Sequence, residues 1–162
     1  MKPVLHAAVF SDTHSNNALM LETIRRTRPD IVIHLGDYER DAEALLRAFP
    51  DIPLYHVCGN CDYAAKAPAR LTVQLGPVTA LLTHGHLYRV DYGRVDSLVY
   101  AAQESGAKLA LFGHTHSALN EDVGGVKVVN PGTAGKGRNL TWALITIFEN
   151  GGVAAEIRPL TL

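Results

Sequence analysis

The chain has 162 residues, 47% of them hydrophobic and 19% charged, which excludes a fibrous or disordered protein and suits one domain spanning residues 1–162. Lys+Arg 15 against Asp+Glu 16 leaves a formal net charge of -1, without the basic excess of a protein built for sequence-independent binding to nucleic acid. Two cysteines, Cys58 and Cys61, are too few for a secreted disulfide framework, and no apolar run reaches the length of a membrane span, so the expected address is the cytoplasm.

Val4 to Phe10 is too short to cross a membrane and lacks a small-residue cleavage site, so it reads as a first strand. Ala18 to Thr27 reads as a helix with Met20, Leu21 and Ile24 on one side, and Ile31 to Leu35 as a second strand. Ala42, Leu45, Leu46 and Phe49 fall at the spacing of an amphipathic helix, and Leu54 to Val57 follows as a third strand. Strand-helix-strand units with short connections predict a parallel sheet with right-handed crossovers. Leu71 to Leu75 and Val78 to Thr83 flank the turn signal Gly76-Pro77 and predict a hairpin. Val95, Leu98, Val99 and Ala102 give another helical stripe. Strands are expected at Leu109 to Phe112, Val126 to Asn130, Trp142 to Phe148 and Val153 to Ile157, with Asn150-Gly151-Gly152 turning between the last two. Parallel units followed by antiparallel strands predict an α/β fold of two packed mixed sheets flanked by helices.

Five polar clusters each follow an apolar strand: Asp12-Thr13-His14, Gly36-Asp37, Gly59-Asn60-Cys61-Asp62, His84-Gly85-His86 and Gly113-His114-Thr115-His116. Ligands of open α/β sheets bind beyond the carboxyl ends of the strands, so neighbouring strands would bring these clusters into one crevice. Converging carboxylates repel one another, and grouped imidazoles are pushed towards neutrality. A divalent cation resolves both problems by taking neutral imidazole nitrogen and ionised carboxylate oxygen together. The supply of ligands exceeds the needs of one tetrahedral ion and suits two ions about 3.5–4 Å apart.

In this order, Asp12-x-His14, Gly36-Asp37, Gly59-Asn60-x-Asp62, His84-Gly85-His86 and Gly113-His114-x-His116 resemble the calcineurin-like metallophosphoesterase superfamily. The length and the segment Asn130-Pro131-Gly132-Thr133 resemble its small prokaryotic phosphodiesterases. The resemblance implies a metallophosphoesterase sandwich in which Asp12, His14 and His116 hold one metal, Asn60, His84 and His114 a second, and Asp37 bridges them. It implies manganese foremost, with nickel, iron or zinc as alternatives. The reaction implied is hydrolysis of a small phosphorylated substrate, a phosphodiester, by a hydroxide shared between the ions. Asn60 would also orient a phosphoryl oxygen, and Lys136 and Arg138 are candidate phosphate contacts. The wider superfamily carries histidine, the proton donor, where this chain has Cys61; Asp62 matches the carboxylate that follows, and His86 is a candidate substitute acid or phosphate contact. A phosphomonoesterase with the same site and a non-catalytic protein-binding scaffold, as in a retromer subunit of this superfamily, stand as alternatives. Relatives of this kind are often homo-oligomers, although no stripe in the sequence demands one.

Three histidines stand outside the pattern. His6, His34 and His56 lie in expected strands and read as hydrogen-bonded core or supporting residues. Cys58 and Cys61 have the spacing of a redox pair, but Asn60 between them belongs to the metal pattern, and Cys58 reads as a small buried hydrophobe.

Overall fold

In the computed structural model, which describes residues 1–161, alternation along the first strand sets the layering. In β1 (Pro3–Phe10), Ala7 and Val9 enter one buried cluster while Ala8 and Phe10 enter another. Successive side chains of a strand face opposite ways, so a strand apolar on both faces must be covered on both. It is followed by α1 (Ala18–Thr27), β2 (Ile31–His34), α2 (Glu39–Ala48) and β3 (Leu54–His56). These three strands pair side by side in parallel. Met20 and Ile24 of α1 and Leu45 of α2 cover Ala8, Phe10 and Val32 on the outer face.

A second sheet is then built without interruption. β4 (Arg70–Leu75) and β5 (Val78–Thr83) form the expected hairpin. A 3₁₀ turn (Asp91–Gly93) and α3 (Asp96–Glu104) lead to β6 (Leu109–Leu111), β7 (Leu119–Val123) and β8 (Val126–Asn130), in the sheet order β4-β5-β6-β8-β7. β9 (Thr141–Phe148) and β10 (Val153–Pro159) return to complete the first sheet in the order β10-β9-β1-β2-β3. Val9, Ile33, Leu82, Leu111, Val129 and Ile145 meet between the sheets, while Leu98 and Ala102 of α3 cover Leu81, Ala110 and Val128 outside the second. Fully burying a side chain of this size contributes about 1.5–3 kcal/mol, so this shared core fixes the two sheets against each other. The architecture is the expected one, two mixed five-stranded sheets with flanking helices.

Three details depart from the sequence reading. β7 was not anticipated: Leu119-Asn120-Glu121-Asp122-Val123 reads as polar because it is an edge strand, and it pairs with β8 through a turn at Gly124-Gly125. Both glycines have positive φ, +57° and +79°, as a two-residue hairpin turn requires. Leu46 does not join the buried stripe of α2; it is 48% exposed, and Asp41 is buried instead. His6 is exposed and lies 3.3 Å from Thr146 Oγ1, so it is no core residue. Among the described residues no helix is long and apolar enough to cross a membrane.

Candidate metal centre

Each polar cluster leaves the carboxyl end of a strand. Asp12 and His14 follow β1, Asp37 follows β2 and Asn60 follows β3, all from one sheet. His84 and His86 follow β5, and His114 and His116 follow β6, from the other. The side chains meet over the seam between the sheets. Asp12, His14 and His116 present ligand atoms within 4.8 Å of one another, as do Asp12, Asp37 and His84, and His14, Asp37 and Cys61.

The two carboxylates are divided between protein and crevice. Asp12 Oδ2 accepts the Ser11 hydroxyl at 2.6 Å and the His114 backbone N–H at 3.0 Å. Its Oδ1 has no hydrogen-bond partner and faces His116 Nε2 at 3.2 Å, His84 Nε2 at 3.7 Å and His14 Nε2 at 3.8 Å. Asp37 Oδ1 accepts the Cys61 backbone N–H at 2.9 Å. Its Oδ2 lies between His84 Nε2 at 3.3 Å and His14 Nε2 at 3.6 Å. Gly59 and Gly113 make these approaches feasible, because a Cβ at either position would strike the Asp37 or Asp12 carboxylate.

The imidazoles are aimed in the same way. His84 Nδ1 donates to the Leu35 carbonyl at 2.8 Å, so its Nε2 carries the lone pair of the neutral ring. That nitrogen and His14 Nε2 are buried without a hydrogen-bond partner. Burial acts to lower the pKa of His84, but the Asp37 and Asp12 carboxylates outweigh it and raise it. Burial acts to raise Asp12 and Asp37, yet the histidines around them hold both below the usual carboxylate range. Two ionised carboxylates, each with an oxygen unspent, and unpartnered nitrogens aimed beside them make a donor set that fits divalent cations.

Backbone conformation adds a second signature. Asp12, His14, Asp37, His114 and His116 have φ of 57°, 47°, 47°, 70° and 64°. Such left-handed residues cost of order 1–3 kcal/mol each and cluster where the surrounding structure holds functional groups in place.

The chain between residues 5 and 150 matches the family model of the calcineurin-like phosphoesterase superfamily domain. The chain belongs to that superfamily. It is 32% identical over 133 residues to the probable metallophosphoesterase YsnB of Bacillus subtilis, covering 80% of this chain and 75% of that protein. The crystal structure of a conserved uncharacterized protein from Streptococcus pneumoniae, described as a predicted phosphoesterase, superposes with a TM-score of 0.70 at 28% identity, covering 98% of this chain and 99% of that one. Vps29 of Entamoeba histolytica complexed with Zn²⁺ (TM-score 0.74, 19% identity, 97% and 100% covered) shares the fold. So does an archaeal phosphodiesterase (TM-score 0.68, 18% identity, 95% and 100% covered).

Of the remaining residues singled out from sequence, Cys61 is partly buried against Asp37, and burial followed by the Asp37 charge pushes its thiol pKa up. Asp62 spends its carboxylate on the backbone N–H groups of Asp37, Glu39 and Gly59, which makes it a support beneath the site. The His86 ring stands 5.5 Å from that of His84 and 6.3 Å from that of His114. Burial, and then those two rings, keep His86 towards neutrality. Lys136 is exposed but close enough for its charge to act on His14 and Cys61, whereas Arg138 is exposed and makes no side-chain hydrogen bond or ion pair among the described residues. Cys58 and Cys61 are both free thiols.

The sequence reading missed the layer under the ligands in this phosphoesterase fold. His34 Nδ1 accepts the Gly36 N–H at 3.2 Å, which leaves its Nε2–H for the Thr13 hydroxyl at 3.0 Å. Thr13 in turn donates to Asp41 at 2.6 Å. Asp41 also accepts the Ser15 N–H and the Asn17 amide, so one buried aspartate of α2 fixes the whole loop around His14. His34 thus supports the site as expected, while His56 is partly buried with Nδ1 unpartnered. The Thr133 hydroxyl donates to the Asp12 carbonyl, and Asn130 donates to the Gly113 carbonyl and to Thr115. Thr13 and Asp41 have too many ordinary uses for sequence to give them this role, and Asn130 and Thr133 stand out only as parts of the segment Asn130-Pro131-Gly132-Thr133, with no role attached.

A cavity of about 500 Å³ is lined by Val90, Asp91, Val95, Phe112, Thr115 and Leu119; Thr115 is next to His114 in sequence, and Asp91 is in contact with its ring.

Proposed function

We propose that the protein hydrolyses small phosphodiesters with two divalent ions, manganese foremost. Asp12, His14 and His116 would hold one ion, and Asn60, His84 and His114 the other. Asp37 would bridge them. One observation carries this reading: Asp37 Oδ2 lies between His14 and His84, the histidines given to different ions.

Bound there, the ions would supply an activated water and neutralise charge on the phosphoryl oxygens. The chain's own groups do the rest. Asn60 Oδ1 stands 3.1 Å from His114 Nδ1, so the two side chains share one corner of the site, where Asn60 can also orient a phosphoryl oxygen. Lys136 adds positive charge at the His14 side, and Arg138 is free to reach an incoming phosphate. The cavity beside His114 gives room for an ester substituent. Cys61 or His86 would hand a proton to the leaving oxygen, and Asp62 holds the Asp37 backbone while the Asp37 carboxylate holds that of Cys61. Two free thiols and the lack, among the described residues, of a helix able to cross a membrane suit a cytoplasmic enzyme.

A protein-binding scaffold is the second reading. Tyr63 is 90% exposed and Leu87 63% exposed, both on loops that carry site residues, and exposed apolar groups of that kind suit a partner surface.

Metal-stripped protein assayed on bis(p-nitrophenyl) phosphate and p-nitrophenyl phosphate, with manganese, nickel, zinc or magnesium restored singly, separates the readings. Metal-dependent diester cleavage, lost at least about a hundredfold in Asp37→Ala, is expected. Faster monoester than diester turnover would make the protein a monoesterase. No turnover with any metal would leave the scaffold.

A further inference from the structure

His114 is held at three points. Its backbone N–H is bound by Asp12 Oδ2 at 3.0 Å, its ring Nδ1 faces Asn60 Oδ1 at 3.1 Å, and its ring Nε2 faces Asp91 Oδ1 at 3.3 Å. The Asn60 amide is oriented with its Nδ2 towards Cys61 Sγ, which leaves its oxygen for the ring. Both ring nitrogens therefore face oxygen acceptors, yet a neutral imidazole has one N–H. With the proton on Nδ1, the Nε2 lone pair points at a carboxylate. With the proton on Nε2, the Nδ1 lone pair and the Asn60 oxygen point at each other. The second arrangement is what a cation between Nδ1 and Asn60 Oδ1 would complete.

Asp91 is well suited to hold that arrangement. It opens the 3₁₀ turn Asp91–Gly93, downstream of His84 and His86 on the connection between β5 and α3 but outside every ligand motif, and among the described residues its carboxylate makes no other side-chain ion pair or hydrogen bond. Its side chain is 59% exposed, so it is not placed there by core packing. Metal-ligating histidines commonly donate their second N–H to a carboxylate, which fixes the tautomer and raises ligand basicity.

We propose that Asp91 is a positioning residue that accepts the Nε2–H of His114 and so commits His114 Nδ1 to the metal. This inference rests on the metal-centre reading above. It adds that a residue outside all the ligand motifs sets the tautomer of one ligand.

The test is zinc affinity, measured by competition with a chromophoric chelator, for the wild type, Asp91→Ala, Asp91→Asn and Asp91→Glu. Thermal unfolding of each metal-free protein checks that the exposed substitution leaves the fold intact. Asp91→Ala is expected to weaken zinc about 10–100-fold, Asp91→Asn less because its amide oxygen still accepts, and Asp91→Glu to recover most of the affinity. Nitrogen-15 spectra of the histidine rings in zinc-loaded wild type should show His114 ligated through Nδ1 with a protected Nε2–H. Asp91→Ala within twofold of wild type, or ligation through Nε2, would overturn the proposal while leaving the metal centre standing. Wild-type protein that takes no zinc from the chelator would overturn the metal centre itself, and Asp91's role with it.

Discussion

The Asp62 carboxylate accepts the backbone N–H of Asp37 at 3.0 Å, so the proposed bridging ligand is held from behind by the loop that follows β3. The same carboxylate takes the N–H of Glu39 at 2.7 Å, the first residue of α2, and of Gly59 at 2.7 Å. An anion at a helix N-terminus is doubly favourable there, because it satisfies an orphan donor and meets the positive end of the helix dipole. Asp62→Ala strands three amides and should cost roughly 2–4 kcal/mol of stability. Denaturant titration of the metal-free protein reads this directly. A loss below 0.5 kcal/mol (roughly the size of an ordinary surface substitution) would show that water replaces the carboxylate.

Metal should act on the fold as well as on turnover. The proposed ligands come from both sheets, so bound ions tie the sheets together at the open end of their seam. At a hundredfold excess over the dissociation constant, one ion adds about 2.7 kcal/mol, worth about 5–10 °C in Tm for a chain of this size. Manganese or zinc should raise Tm by that order, chelator should reverse it, and Asp37→Ala should abolish the response. An unchanged Tm at saturating metal would contradict this.

Cys61 should leave a kinetic mark. Its thiol pKa is pushed upward by burial and by Asp37, which makes it a poorer proton donor near neutrality than an imidazolium. Aryl diesters, whose leaving groups need little protonation, should therefore outpace alkyl diesters strongly. Cys61→His should narrow the ratio of kcat/KM values by at least about tenfold. Equal wild-type rates on the two classes would end the argument.

His34 makes stability depend on pH. Burial lowers its pKa from the ordinary 6.5 to about 4, so between those values the unfolded chain binds a proton that the folded one refuses. The contribution of neutral His34 is complete above pH 6.5 and is lost as pH falls towards 4, a total of about 3 kcal/mol. Guanidinium titrations at pH 7 and pH 4.5 in chelator should show a steeper loss for wild type than for His34→Gln. Parallel losses would assign the acid sensitivity to other groups.

The site was legible in the sequence where chemistry and position coincide. Asp12, His14, Asp37, Asn60, His84, His114 and His116 stand directly after apolar strands, and their residue types have few reasons to gather there besides a cation. Apart from His34, what supports them was not legible. Asp41 is buried in α2, where it accepts from Thr13, Ser15 and Asn17, a demand that comes from a loop far away in sequence. Asp91 shares no motif with His114 and meets it only through folding. The left-handed backbone at five of the proposed ligand positions was not legible either: aspartate and histidine adopt it more readily than most residues, but their side-chain chemistry alone already accounts for their presence there.

The two sheets draw on the chain differently, and this orders events during synthesis. The second is cut from one continuous stretch, β4 to β8, whereas the first takes strands from both ends. His116, the last of the proposed ligands, leaves the ribosome well before β9 (Thr141–Phe148), the strand that pairs with β1. Until β9 arrives, β1 is an open edge and the loop holding Asp12 and His14 has support on one side only. A nascent chain thus owns every donor atom before it owns the frame that aims them. Removing the last two strands would spare every proposed ligand and still leave them without a fixed geometry.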